Sequence, residues 1–168
     1  MDRIWAPWRI GYIKVTGKKQ TRCLFCHSLK SRKKNYVFLK NEYSFAMLNI
    51  FPYNNGHVMV SPKRHIRDLQ SLTESEFTDM LKTLKQTLLL LDRVLKPQGY
   101  NVGMNIGKCS GAGIPGHLHL HIVPRWEADT NFMPVVSNTK IISQSLDELY
   151  RELIAKAQKS DKSIKKKR

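Results

Sequence analysis

Short segments rich in apolar, β-branched and aromatic residues recur along the chain between turn-forming residues, a pattern typical of β-strands. The pattern occurs in five segments, residues 36–40, 43–50, 57–61, 100–106 and 117–123. The polar tripeptide 40–42 fits a turn between the first two, and the stretch from Pro52 to Gly56 separates the second from the third. The sequence therefore predicts a sheet of about five short strands.

Apolar residues at helical spacing predict one long helix between the third and fourth strands. Thr73 and Glu76 form a capping-box pattern at its start, and Pro97 and Gly99 place its end near Lys96. A shorter helix is predicted for residues 146–157. Short antiparallel strands combined with a long amphipathic helix are typical of an α+β fold.

The size of the chain fits one domain. With 168 residues, we expect a folded domain at residues 1–155 and a basic, disordered tail at 156–168, which has too little apolar surface to fold alone. The sequence holds no apolar run of about 18 residues and no secretory signal pattern, so we expect no membrane span and a cytoplasmic location with reduced thiols.

A formal net charge of +16 favours anionic partners. These could be phosphorylated small molecules or a nucleic acid, and the same charge could also be only a solvated surface. Charge alone does not decide between these alternatives.

Histidine occupies every second position of one predicted strand, at His117, His119 and His121. Side chains alternate between the two faces of a strand, so the three imidazoles share one face and the aliphatic residues between them share the other. A polar solvent face is the alternative interpretation. One metal ion cannot bind all three, because the first and last lie about 13 Å apart along a strand. The three histidines must therefore have different roles.

The loop before this strand, residues 105–116, is rich in glycine. Glycines let backbone amides approach an anion closely, although such a loop can also be only a flexible connection. Its position directly before the histidines favours a phosphate-binding loop.

The His-x-His-x-His row, followed by an aliphatic pair, Pro124 and Arg125, resembles the signature of the histidine triad (HIT) family. The opening Trp5–Arg9 and the continuation from Trp126 to Phe132 are similar to the bacterial branch that contains diadenosine tetraphosphate phosphorylases. The resemblance extends from about residue 3 to residue 135. Three further segments match the family's N-terminal half in order and spacing: 46–52, 56–60 and 62–66.

The resemblance implies a HIT-like antiparallel sheet and an enzyme that breaks a nucleotide phosphoanhydride through a covalent nucleotidyl-histidine. His119 corresponds to the nucleophile, while His121 and His57 correspond to residues of the phosphate site. Dinucleoside polyphosphates such as diadenosine tetraphosphate are the expected substrates, split by phosphate or by water. The resemblance also implies a homodimer, paired through the long helix and a sheet edge.

Other functions stay open at this point. The chain could be a nucleoside phosphoramidate hydrolase. It could also be a nucleic-acid-binding module that acts on adenylated ends, or a nucleotide-binding regulator with an inactive site.

The resemblance also implies a set of substrate contacts. Asn49 corresponds to a ribose-binding residue, Ile50 and Phe25 to residues beside the base, and Asn105 to a phosphate-side asparagine. Many family members carry Gln and then Ser or Thr where this chain has Gly113 and Ile114, so backbone amides would have to replace those side chains. The remaining candidates for substrate binding are Gly111, Ala112, Gly113 and Trp126.

Cys23 and Cys26 have the spacing of metal ligands, but tetrahedral zinc requires two more. The resemblance supplies His65 and His117, which implies a structural zinc site; half-buried thiols are the alternative. The stretch through His27 also matches a haem attachment pattern, but haem attachment requires an exported chain, and no organic cofactor is expected.

Overall fold

The computed structural model describes residues 23–31, 35–107, 109–130 and 141–165, with side chains in the last segment described as far as residue 158. The segments Trp5–Arg9 and Asn131–Phe132 of the family resemblance lie outside these residues. The elements in chain order are α1 (Leu24–Lys30), β1 (Val37–Lys40), β2 (Ser44–Leu48), β3 (Val58–Pro62), a 3-10 turn (Leu69–Ser71), α2 (Glu74–Val94), β4 (Gly99–Met104), β5 (Leu120–Arg125) and α3 (Leu146–Lys165).

The five strands form one antiparallel sheet in the order β1-β2-β3-β5-β4. This confirms the predicted α+β class and the approximate position of each strand. β5 begins at Leu120, three residues later than predicted. Continuing the register of β3 and β5 would pair Leu118 with Pro62, which has no backbone N–H to donate. The Leu118 carbonyl instead accepts a hydrogen bond from the Ser61 hydroxyl at 2.8 Å.

One face of the sheet is covered by α2 and α3 and forms the main hydrophobic core. Leu91 of α2 and Leu149 and Leu153 of α3 are almost completely buried there. The buried sheet residues on this face are Phe38, Ala46, Leu48, Val58, Val60, Leu120 and Ile122. Because two long helices occupy this face, the opposite face is the one available for a site.

The helices differ from the prediction in two places. α1 is additional: its seven residues are too few to show a periodic pattern, and Cys23 at its N-cap makes no side-chain capping bond. α3 continues to Lys165, so the backbone of residues 156–165 is helical where the sequence predicts a disordered tail. The domain boundary at residue 155 remains a prediction. Among the described residues, none of the helices has the length and apolar character that crossing a membrane requires.

The predicted capping box at the start of α2 is confirmed, and a third residue joins it. The Thr73 hydroxyl accepts from the Glu76 amide at 3.2 Å, and the Glu76 carboxylate accepts from the Thr73 amide at 2.9 Å. Arg64 donates to both oxygens of the same carboxylate at 2.7 Å. The hydrogen bond from Arg64 is the main reason that the pKa of Glu76 falls to about 2.

We predict that Glu76→Gln destabilises the protein at neutral pH by about 1 kcal/mol, the scale of a partly exposed charged pair. Because the folded-state pKa is lowered, the carboxylate stabilises the fold above its unfolded-state pKa of about 4.5. That contribution is lost as the pH falls from there towards about 2. Urea unfolding of both proteins at several pH values should show the difference shrink over this window.

Glu74→Gln is the matched control, since Glu74 lies in the same first turn and is exposed. It removes the same charge without touching Arg64. A stability difference for Glu76→Gln that stays constant from pH 7 to pH 3 would contradict the assigned role of the carboxylate.

Candidate active site

The histidines lie on the face of the sheet that α2 and α3 leave open. Met59 of β3 pairs with His121 of β5, and Met59 belongs to a second apolar cluster on this face. Phe25 of α1 is also part of this cluster, and its ring packs against the rings of His117 and His119. The predicted common face of the three imidazoles is therefore supported by contacts, although the first two precede β5 itself.

His119 is held in one tautomer by a backbone carbonyl. Its Nδ1 lies 2.8 Å from the His117 carbonyl oxygen, which can only accept, so Nδ1 carries the proton and Nε2 keeps its lone pair. Among the described residues, Nε2 has no hydrogen-bond partner. Burial lowers the pKa of the imidazole below its usual value, and the hydrogen bond to His117 partly opposes this effect.

The His119 side chain is 4% exposed, and its ring packs against Phe25 of the second apolar cluster. Its ring centre lies 4.9 Å from that of Phe25 and 4.8 Å from that of His121. A neutral imidazole with a free Nε2 at this position is a nitrogen nucleophile.

His57 and His121 form a hydrogen-bonded pair with a defined direction. The backbone amide of Tyr53 donates to His57 Nδ1 at 3.1 Å, so this nitrogen is an acceptor and Nε2 carries the proton. His57 Nε2 lies 2.9 Å from His121 Nδ1 and donates to it. His121 is then left with its proton on Nε2, which makes this nitrogen a hydrogen-bond donor.

Both rings of this pair are neutral near pH 7. The pKa of His57 is lowered to about 3, mainly by burial and then by the charges of His121 and His119. Burial and then the charge of His119 lower the pKa of His121 to about 4. The site thus combines an unprotonated nitrogen on His119 with an N–H donor on His121.

Tyr53 is absent from the predicted site residues, because the segment Pro52–Gly56 predicts only a break between strands. Its ring is 48% exposed, and it stacks over His121 at 5.8 Å and packs against His57 at 4.5 Å. No sequence signal identifies this contact other than the position of Tyr53, four residues before His57.

Asp129 and Asn54 were also not predicted, and they connect the loop of Tyr53 to the turn after β5. The Asp129 carboxylate accepts from Asn54 Nδ2 at 2.9 Å, from Arg125 Nε at 2.6 Å and from the Trp126 amide at 3.3 Å. Trp126, a predicted substrate contact, is half-buried at this turn.

Two predicted substrate residues lie at the end of β2. Asn49 is half-buried; its Oδ1 accepts from the Phe51 amide at 2.9 Å and its Nδ2 lies 3.2 Å from His57 Nδ1. Ile50 is 45% exposed beside it. Phe25, the third candidate for the base, has no exposed surface, so its contact with a base stays a prediction.

The glycine-rich loop follows β4 and returns to the histidines. Asn105 directly follows the last residue of β4, and continuing the register of β4 and β5 places it beside His119. Gly111 has a φ of 82°, which favours glycine, and Ala112 and Gly113 are half-buried. Among the described residues, no hydrogen bond joins residues 111–113 to the histidines, so their role as a phosphate cradle stays a prediction.

The four predicted metal ligands, by contrast, come together. The ligand atoms of Cys23, Cys26, His65 and His117 lie within 4.8 Å of one another. His117 Nδ1 is 3.2 Å from the sulfur of Cys23 and 3.6 Å from that of Cys26, whose sulfur is 3.4 Å from His65 Nδ1. Tetrahedral zinc with its usual bond lengths separates its ligand atoms by about 3.3–3.8 Å. Two of the three sulfur–nitrogen distances lie in this range and the third, 3.2 Å, is just below it, while the four atoms as a set lie within 4.8 Å of one another.

The orientation of the His117 ring also suits a metal. Its Nε2 lies 2.9 Å from the Pro62 carbonyl and donates to it, so the lone pair is on Nδ1, the nitrogen that faces the two sulfurs. Burial, followed by the charge of Cys23, raises the pKa of the Cys26 thiol, and a bound cation would offset this cost. The cluster can therefore hold a divalent metal, and Cys109 is exposed and not part of it.

Several known proteins of similar sequence carry names of nucleotide-processing enzymes. AP-4-A phosphorylase from Mycobacterium tuberculosis is 31% identical over 161 residues, which cover 91% of this chain and 83% of that protein. Adenosine 5'-monophosphoramidase from Saccharomyces cerevisiae is 29% identical over 139 residues, which cover 83% of this chain and 85% of that protein.

The fold also matches solved structures. A zinc-bound histidine triad family protein from Mycobacterium smegmatis is 25% identical and superposes with a TM-score of 0.66, over 84% of this chain and 96% of that one. A sequence profile described as the HIT domain matches residues 30–128, more than half of the chain. These matches confirm the resemblance seen in the histidine row: the chain belongs to the HIT domain family.

Proposed function

We propose that this HIT-family enzyme splits dinucleoside polyphosphates, such as diadenosine tetraphosphate, through a nucleotidyl group bound covalently to His119. The observation that supports this most directly is the His119 ring, whose proton is held on Nδ1 by the His117 carbonyl while Nε2 is free to react. The similarity to an AP-4-A phosphorylase supports the substrate class.

The reaction follows from the two tautomers. The lone pair of His119 Nε2 forms a bond to the α-phosphorus, and the bond from phosphorus to the bridging oxygen breaks, so that the leaving nucleotide takes its electron pair. The Nε2–H of His121 stabilises negative charge on the phosphoryl oxygens during this step. In the second step, an oxygen of phosphate or water forms a bond to the phosphorus and the P–N bond breaks, with its electron pair returning to Nε2. If water attacks, it loses one proton to the solvent.

The substrate contacts implied by family resemblance belong to the same proposal. Their locations are compatible with it: Asn49 and Ile50 follow β2 and Asn49 contacts His57, while the register of β4 and β5, continued by one residue, would place Asn105 beside His119. Trp126 lies at the turn after β5, and the amides of residues 111–113 belong to the loop that leads into the histidines. Phe25 is included as the second predicted contact with the base.

The metal of the Cys23–Cys26–His65–His117 cluster is zinc in this proposal. All four positions are filled by the protein, so the metal would have a structural role and would not contact the substrate. The zinc-bound HIT structure with the same fold supports this choice.

Phosphoramidate hydrolysis is the second candidate, because the phosphoramidase from yeast is similar over most of its length. It uses the same attack by His119 and differs only in the leaving group, an amine instead of a nucleotide. The homodimer, inorganic phosphate as co-substrate, binding to nucleic acid and the cytoplasmic location all remain predictions.

We predict that His119→Ala lowers turnover of diadenosine tetraphosphate by at least roughly 1,000-fold, because the covalent route is lost. Mass spectrometry of the acid-quenched wild-type enzyme should show an adenylyl adduct on the peptide that contains His119. His27→Ala is the matched control, since His27 is exposed and lies outside the site. Full activity of His119→Ala, or an adduct on another residue, would overturn the proposal.

The products distinguish the two possible second substrates. If phosphate releases the adenylyl group, diadenosine tetraphosphate yields ATP and ADP; if water does, it yields ATP and AMP. For the phosphorylase, ion chromatography should detect ADP only when phosphate is added. AMP formation that is independent of phosphate would identify a hydrolase instead.

Metal analysis tests the zinc site. We predict about one equivalent of zinc per chain in the purified wild-type protein, and its loss in Cys26→Ser, because three ligands hold the ion less tightly than four. Cys109→Ser should retain the metal, since Cys109 lies outside the cluster. Equal zinc content in the two variants would contradict the assignment of the ligands.

A further inference from the structure

Phe25 lies between the metal cluster and the nucleophile. Its ring centre is 5.1 Å from that of His117 and 4.9 Å from that of His119, and its side chain has no exposed surface. It also packs against Phe45 of the sheet, with ring centres 6.4 Å apart. A single aromatic ring therefore touches both a predicted metal ligand and the predicted nucleophile.

The helix that carries Phe25 depends on other parts of the molecule for its stability. α1 has only seven residues, and a helix this short is not stable by itself in water. Cys23 and Cys26 flank Phe25 in the sequence, and both sulfurs lie close to His117 Nδ1. A metal ion shared by these side chains would fix α1 to the segment that leads into β5.

The Phe25 ring limits a movement of the His119 ring that the hydrogen bond to the His117 carbonyl still allows. The bond from Nδ1 to the His117 carbonyl fixes one edge of the ring, but a single hydrogen bond still allows the ring to tilt. The Phe25 ring lies against His119 at an interplanar angle of 36° and limits this movement. Together with the His121 ring, whose centre lies 4.8 Å away, these two contacts limit the direction in which Nε2 points.

We infer that Phe25 is a positioning residue for His119, and that the Cys23–Cys26–His65–His117 cluster keeps it in place when it holds a metal. This inference rests on the proposed roles of His119 and of the cluster. It gives a structural metal an effect on the rate of reaction without any contact with the substrate. The predicted alternative role of Phe25, a contact with the base, would act on substrate binding instead.

Kinetics of metal-loaded variants test the inference. Phe25→Leu should lower kcat by about 10- to 100-fold, the scale expected for a misplaced reacting group, while KM stays within about two-fold. Leu29→Ala is the matched control, because it removes the same number of carbon atoms from the same apolar cluster. It should leave kcat unchanged.

A second readout does not depend on activity. The Phe25 ring shifts the NMR signal of the His119 Cε1 proton by its ring current, so Phe25→Leu should move that signal. Removal of zinc from the wild-type protein by a chelator should move the same signal and lower kcat. Zinc removal from Phe25→Leu should then lower kcat little further, because the substitution and the loss of zinc remove the same restraint on His119.

Each result supports or contradicts the inference. Unchanged kcat in metal-loaded Phe25→Leu, a raised KM with normal kcat, or fully additive effects of the substitution and zinc removal would overturn it. Should Phe25→Leu fail to fold, Phe25→Met takes its place. If the protein unfolds when the metal is removed, the metal-loaded variants alone test the inference. A wild-type enzyme without an adduct on His119 would instead contradict the proposed function, which is a separate failure.

Discussion

The hydrogen bond from His119 Nδ1 to the His117 carbonyl is the interaction on which the whole site depends. A carbonyl oxygen cannot donate, so this bond of 2.8 Å fixes the proton on Nδ1 and leaves a lone pair on Nε2. The ring of His117 itself faces the two cysteines. In the next residue, the Leu118 amide donates a hydrogen bond to the Ile66 carbonyl, and the Leu118 carbonyl accepts one from the Ser61 hydroxyl. The proposed nucleophile is thus aligned by backbone that is held on one side by the segment of His65 and Ile66 and on the other by β3.

Burial determines the charge of the site. Burial lowers the pKa of His57 to about 3 and that of His121 to about 4, so neither ring carries a charge near pH 7. Their hydrogen bond then has a single direction, which begins at the Tyr53 amide and ends at His121 Nε2. A site made of neutral imidazoles can attack phosphorus at one nitrogen and donate a hydrogen bond from another.

Much of the fold could be predicted, because the signals were local. The capping box at Thr73 and Glu76 fixed the start of α2, and the alternation of histidine with aliphatic residues placed the imidazoles on one face. The start of β5 could not be predicted, because it depends on a residue of another strand. Pro62 of β3 lies where the ladder would continue, and it has no backbone N–H to donate. α1 could not be predicted because seven residues are too few to show a periodic pattern and its N-cap makes no side-chain hydrogen bond.

The residue types of the candidate site could be predicted from the sequence, but the contacts between these residues could not. The spacing of the cysteines indicated a metal, and the fold brought all four ligands together as the resemblance implied. Tyr53, Asn54 and Asp129 act through contacts between residues far apart in sequence, and no local pattern marks them. Phe25 shows the same limit: its position between two histidines is visible only once α1 is folded onto the sheet.

The tautomer of His119 is the most direct test of this account, and long-range proton–nitrogen NMR correlation of the imidazoles measures it. At pH 7 we expect the wild-type protein to show a protonated Nδ1 and an unprotonated Nε2 for His119. For His121 we expect the reverse, with the proton on Nε2. A His119 ring with its proton on Nε2, or one protonated on both nitrogens at this pH, would contradict the central claim.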